Sequence, residues 1–303
     1  MNITIWQTIF LALLQGVTEL FPVSSLGHTV ILPGLLPQFF PPGFASDTSC
    51  GGHGCFLPLV TALHLGTSIA LVIYFWRDWL QVCKTILSSL RNRRIRKDTE
   101  EWVGWLIIVG CIPGGLLGVA LESALKKIFA SPVLAAAFLV LNGSILFAGE
   151  AMRKRAEARR AIINPKESEA SFRPLSSLGW KEAFVVGCAQ SLALIPGISR
   201  SGVTMVAGLG VRLSHEDAAR YSFLLGTPLI AAAGLLEIPR LLGQSTSTWL
   251  IIITGAALSG IAAFLSTKFL TKYFENGRLT PFAIYCWTFG LISLVLLFML
   301  HAG

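Results

Sequence analysis

Charge is scarce in this chain: Asp, Glu, Lys and Arg make up 13% of its 303 residues, against 53% that are hydrophobic. With a mean hydropathy of +0.68, that scarcity excludes an ordinary soluble domain, in which about a quarter of residues are charged. Basic residues are also missing at the start. No Lys or Arg precedes the apolar residues 3–14, and Glu19 and Pro22 follow them, so no cleaved signal peptide is expected and the segment should stay. No His-Glu-x-x-His occurs, which excludes that class of metalloprotease. The 5 histidines, His28, His53, His64, His215 and His301, lack the paired basic motifs of a histidine-nucleophile phosphatase. Cysteine is sparse and dispersed. Only Cys50 and Cys55, around Gly-Gly-His-Gly, lie close together in a loop expected outside, where disulfides persist; the sequence leaves open whether these two pair. With His53 they are too few for a metal site. Cys83, Cys111, Cys188 and Cys286 read as small apolar packing residues.

The charge that is present is mostly positive, net +8, and clustered. Arg91, Arg93, Arg94, Arg96 and Lys97 form one group. A second holds Arg153, Lys154, Arg155, Arg159, Arg160, Lys166, Arg173 and Lys181, and a third holds Lys268, Lys272 and Arg278. Short basic loops stay cytoplasmic. Topology therefore accounts for these runs, and no nucleic-acid partner is expected.

Crossing a bilayer takes about 20 apolar residues in a helix. Six segments qualify: 56–77, 102–121, 131–151, 217–237, 248–270 and 280–301. With the basic stretches inside, their directions alternate consistently, and loops 122–130 and 240–247 fall outside. Two further apolar stretches, 3–36 and 178–213, are broken near their middles by Phe21-Pro-Val-Ser-Ser and Ile195-Pro-Gly-Ile-Ser. Non-helical backbone at membrane depth is tolerated only where protein buries it or it lines a cavity. Both stretches therefore read as re-entrant helical hairpins entering from opposite sides. The expected fold is an all-α integral membrane protein: six transmembrane helices and two re-entrant hairpins, arranged as two inverted repeats. Residues 1–152 form the first repeat, 153–177 a basic cytoplasmic linker and 178–303 the second. Pro22 and Ser25 in one break echo Pro196 and Ser199 in the other. Paired interrupted segments in inverted halves point to a site near the midplane, where the breaks meet.

The first break carries Gln15 and Glu19 on one helical face, then Ser25 and His28 one turn apart. A serine after the proline suits a helix N-cap, and a helix N-terminus seats phosphate. The second break carries Arg200, which binds phosphate oxygens bidentately. Gly197 and Gly202 allow close backbone approach, and Ser199, Ser201 and Thr204 add hydroxyls. A charge at bilayer depth costs roughly 2.5–3.5 kcal/mol on insertion scales, so Arg200 and Glu19 should face inward and meet opposite charge. Glu19 beside a phosphate suggests a divalent cation, Mg²⁺ or Ca²⁺, with substrate oxygens and water completing the shell. Plainer readings stand beside these. Ser201 and Thr204 could bond their own backbone, and His28 could be a satisfied buried histidine. Glu19 and Arg200 could form a purely structural ion pair. His64 reads more readily as core packing than as a site residue.

Both motifs, Gln15-x-x-x-Glu19 running into Pro-Val-Ser-Ser-Leu-Gly-His28, and Pro196-Gly-Ile-Ser-Arg-Ser-Gly-Val-Thr204, closely resemble those of the bacterial undecaprenyl-diphosphate phosphatases, the bacitracin-resistance family. Leu63-His-Leu-Gly-Thr67, Tyr74-Phe-Trp-Arg77, Phe223-Leu-Leu-Gly-Thr-Pro228 and Pro281-Phe-Ala-Ile-Tyr285 extend the resemblance over nearly the whole chain. It implies hydrolysis of undecaprenyl diphosphate to undecaprenyl phosphate and inorganic phosphate, recycling the carrier lipid for peptidoglycan. It further implies a metal-dependent site in the bacterial inner membrane, facing the periplasm. The implied catalytic residues are Glu19, Ser25, His28 and Arg200; the implied substrate-binding residues are Gln15, Gly197, Ser199, Ser201, Gly202 and Thr204. Glu19 is the expected metal ligand. Gln15 stands where the family allows Glu or Gln, which leaves one carboxylate in the acidic motif, and Leu26 replaces a small polar residue. Two mechanisms stay open: attack by Ser25 with His28 as base, or water activated by His28 or Glu19. The alternative from another class is an inverted-repeat transporter or flippase for an anionic lipid or small anion. A homodimer is also expected.

Overall fold

A computed structural model describes residues 4–40, 56–95, 100–121, 131–163, 172–241 and 245–302. Cys50 and Cys55, whose pairing the sequence leaves open, His53 and loop 122–130 lie outside the described residues. Among those described, every regular element is helical: α1 (Ile5–Thr18), α2 (Ser25–Leu35), α3 (Phe56–Tyr74), α4 (Trp76–Asn92), α5 (Glu100–Ala120), α6 (Pro132–Ile163), α7 (Trp180–Ser191), α8 (Arg200–Gly210), α9 (His215–Leu241), α10 (Thr246–Phe274) and α11 (Thr280–Ala302), with short 3₁₀ turns at Leu175–Ser177 and Leu192–Leu194. Helices α5, α6, α9, α10 and α11 are each long and apolar enough to span a membrane; α3 with α4, bent by 83°, makes a sixth candidate. The chain is an all-α, multi-pass integral membrane protein.

The helix of segment 56–77 ends earlier than its hydropathy suggests. It stops at Tyr74 rather than residue 77, and the chain turns at Phe75 into α4, a helix that the polar run had hidden. At ~1.5 Å per residue α6 is roughly 48 Å long. It outruns the ~30 Å hydrocarbon layer, so Arg153, Lys154, Arg155 and Arg159 ride on helix, not loop.

Helices α1, α2, α7 and α8 have 14, 11, 12 and 11 residues, each too short to cross. The first hairpin opens at one end of the bundle: Gln7 Nε2 near the start of α1 donates to Phe39 O beyond α2 at 2.6 Å. There Leu11, Phe40, Phe56, Leu241 and Ile252 pack together. The second hairpin opens at the basic end, where Arg173 N donates to Arg212 O at 3.1 Å. The contacts reciprocate: α1 packs on α10 as α7 packs on α5, α2 on α11 as α8 on α6, and α3 on α10 as α9 on α5.

Glu150 ties the basic end together. Its Oε2 accepts from His215 Nε2 at 2.8 Å and from Leu279 N at 3.3 Å, while Oε1 accepts from Arg153 Nη2 at 3.0 Å. It thereby joins α6, α9 and the turn before α11. Glu150→Ala strips the common acceptor from buried donors and is expected to cost about 3 kcal/mol. A thermal scan of the purified protein in detergent should show a lower midpoint, with helix content at low temperature retained.

Candidate active site

Local sequence dictates how both breaks turn. Pro22 lacks an N–H and cannot continue α1. Two residues on, Ser24 takes a positive φ of 66° and caps α2, its Oγ accepting from Gly27 N at 3.2 Å. Ser199 caps α8 likewise, accepting from Gly202 N at 3.1 Å. Counted from the proline to the cap, the second break is one residue longer, and it holds Gly197, at φ +99°. A Cβ there would collide with Ala135 O. The two caps therefore match as Ser24 with Ser199, and the Pro22/Ser25 echo is out by one. Ser25 and Arg200 occupy the same place, the first residue of a helix, and both helix N-termini meet at the centre.

Asn142, fully buried in α6, clamps the two tips. Its Nδ2 donates to Pro22 O at 3.0 Å and its Oδ1 accepts from Ser199 N at 2.9 Å. The Ser201 hydroxyl donates to Phe21 O at 3.1 Å and contacts Ser199 Oγ at 3.1 Å. Thr204 Oγ1 donates to Arg200 O at 2.7 Å and lies 2.5 Å from Ser222 Oγ. In this structure the three hydroxyls of the second motif hold the breaks and α9 together.

Glu19, one residue past α1 and 8% exposed, is the hub. Its Oε2 accepts the Ser25 hydroxyl and, at 3.1 Å, Gln15 Nε2. His64 Nε2 lies 3.4 Å from the same oxygen, and Arg200 Nη2 donates to Oε1 at 3.2 Å. His64 Nδ1 faces Val60 O at 2.7 Å, so its outward nitrogen is held towards the carboxylate. Packing is thus not its role; a polar partner 45 residues away in sequence gives it one in the site. Arg200 Nη1 donates to Ser222 O at 3.1 Å, whereas its buried Nε has no partner. The guanidinium lies over Gly226 of α9, where any Cβ would overlap it. Gly226→Ala must push Arg200 off Glu19, and about a hundredfold loss of activity is expected from such misplacement; size-exclusion chromatography should show an intact protein.

His28 is not turned towards Ser25. Its Nδ1 donates to Ser24 O at 2.7 Å, and Nε2 meets Tyr285 OH at 2.8 Å. The ring stacks on Phe289 with centroids 4.8 Å apart. The hydroxyl of Ser25 is bonded to Glu19 instead.

Acid, serine and arginine are thus buried together where two broken hairpins meet inside a helical membrane bundle. The sequence matches the family described as bacitracin resistance protein BacA over residues 8–292. It is 46% identical over 297 residues to an undecaprenyl-diphosphatase of Mycolicibacterium paratuberculosis, covering 95% of this chain and 96% of that one. Undecaprenyl-diphosphatase 1 of Burkholderia pseudomallei is 43% identical over 300 residues, with 99% of both chains covered. Undecaprenyl-diphosphatase 2 of Frankia alni is 41% identical, with 97% and 98% covered. The chain belongs to the bacitracin resistance protein BacA family.

Proposed function

We propose that this protein is a membrane phosphatase that hydrolyses undecaprenyl diphosphate to undecaprenyl phosphate and inorganic phosphate. The observation that carries this reading is the Ser25–Glu19–Arg200 arrangement: a nucleophile hydrogen-bonded to a carboxylate, with a guanidinium on that carboxylate's other oxygen. Ser25 Oγ attacks the terminal phosphorus and passes its proton to Glu19; the phosphorus–oxygen bond to the lipid phosphate breaks; water then releases phosphate from the serine. Glu19, rather than His28, is the base nearest this hydroxyl. Arg200 neutralises charge on the phosphoryl group being transferred. Donors from the N-termini of α2 and α8 add to that field, and the second-motif residues Gly197, Ser199, Ser201, Gly202 and Thr204 shape the seat.

A divalent cation, Mg²⁺ or Ca²⁺, belongs to the proposal. Gln15 Oε1 is buried without a partner next to Glu19, and both are the oxygen donors such ions take. No three His, Cys, Asp or Glu residues cluster among the described residues, so substrate oxygens and water would supply most of the shell. When bound, the ion would neutralise diphosphate charge.

The reciprocal helix contacts support two inverted repeats, with the hairpins as equivalent units. The basic end is cytoplasmic by the positive-inside rule, and the reading includes a bacterial inner membrane and a site that faces the periplasm. A homodimer completes the reading and is testable by cross-linking in native membranes. A carrier of anionic lipid needs no serine held on a carboxylate, and that bond favours the phosphatase. Phosphate release from undecaprenyl diphosphate by the purified protein, assayed with several divalent cations, tests it. Turnover is expected; a folded protein inert with all of them would transfer the same site to a transporter or flippase.

A further inference from the structure

Helix α4 has no part in the site, yet it is the most strongly two-faced helix of the chain. One face is built into the protein: Val82 and Ser89 are buried, Trp79 and Ile86 pack against the core, and Asp78 pairs with Arg220 of α9. A second face is apolar and uncovered. Trp76, Leu80, Leu87 and Leu90 are 52%, 49%, 69% and 61% exposed, and Cys83 between them is also exposed. Their spacing of four, three, four and three residues makes one stripe. Beside it, at every seventh residue, stand Arg77, Lys84 and Arg91, exposed and without an ion pair among the described residues. The Arg77 guanidinium lies 5.3 Å from the Trp76 ring centre.

Direction decides what covers this stripe. Helix α3 packs inside the bundle on α9 and α10, α4 turns from it by 83° and packs on α5, and Asp78 pairs with Arg220 near the start of α9, so α4 runs along the basic end of the bundle. A helix there with an apolar stripe, a tryptophan at its start and cations along one border matches the layer between acyl chains and headgroups. A soluble partner would bring no acyl chains for the stripe, and the neighbouring spans are already in lipid. We propose that α4 is an anionic-phospholipid site. Its stripe of Trp76, Leu80, Cys83, Leu87 and Leu90 enters the acyl boundary, and Arg77, Lys84 and Arg91 hold phosphodiester headgroups.

The full-length protein in phosphatidylcholine vesicles, probed with spin-labelled phosphatidylglycerol and spin-labelled phosphatidylcholine, gives the preference of its lipid shell for the anionic headgroup. The triple variant Arg77→Gln, Lys84→Gln, Arg91→Gln should lower that preference by about threefold or more. Lys154→Gln, Arg155→Gln, Arg159→Gln, the same charge change on the exposed end of α6, should leave it nearly unaltered. An unchanged preference in the first variant, or equal loss in the second, overturns the proposal. A fluorophore on Cys83, with the other cysteines replaced and all α4 charges kept, provides a reading independent of the variants' folding. Brominated acyl chains should quench it, and an unquenched, water-exposed label would also overturn the assignment.

Discussion

Arg200→Lys is expected to lower the turnover of undecaprenyl diphosphate by at least about a hundredfold, and Arg200→Ala by about a thousandfold. Lysine keeps the charge but not the fork. In the native site one guanidinium nitrogen is bound to Ser222 O and another to Glu19, while the third, Nε, is buried and unpaired. That geometry holds a plane of donors at fixed angle over Gly226, and a phosphate adds acceptors to it without moving the arginine. A lysine ammonium can satisfy Ser222 or Glu19, and then presents few donors to the substrate. Phosphate release at saturating substrate checks this. Activity within about threefold of wild type in Arg200→Lys would mean that charge alone matters and that the fork is a structural brace.

Much of this arrangement is legible in the sequence because a membrane makes polar residues expensive. Arg200 and Glu19 stand out as charges in apolar segments, and the structure joins them across 181 residues. Pro22 and Pro196 mark the breaks because an N–H is missing where a helix would need one. The same cost applies to Asn142, an amide inside span 131–151, yet its role as the clamp needs both break carbonyls and amides in place, which one segment alone does not reveal. His64 and Tyr285 sat inside recognisable motifs; what the sequence lacks is which face of α3 or α11 turns inward, since both helices are apolar all round. Ser222 is worse placed still, because its carbonyl, not its hydroxyl, receives Arg200. Helix α4 escaped for a different reason: a scan for apolar length passes over a helix whose apolar residues form one stripe. The one-residue shift between the breaks is also invisible until the caps are seen, since Ser24 and Ser25 are adjacent and either could match Ser199.

That shift bears directly on the mechanism, because it puts Ser25, not Ser24, at the helix start facing Arg200, with Glu19 on its hydroxyl. Glu19→Gln and Ser25→Ala are each expected to lower phosphate release by about a thousandfold, and the double variant should be no worse than the poorer single one. Residues that act as one unit lose the whole unit when either is removed. Glutamine keeps the shape of Glu19 and can still accept from Ser25, so its effect isolates the loss of the base and of the charge opposite Arg200. If Ser25 is the nucleophile, acid quenching during turnover should leave phosphate on Ser25, detectable by peptide mass spectrometry, and His28→Gln should preserve that signal because His28 is bonded to Ser24 and Tyr285. If water attacks instead, Ser25→Ala will retain most of the activity while Glu19→Gln stays inactive, and no phosphoserine will form. Multiplicative losses in the double variant would separate the two residues into independent roles, leaving Glu19 to orient the arginine and Ser25 to bind the phosphate.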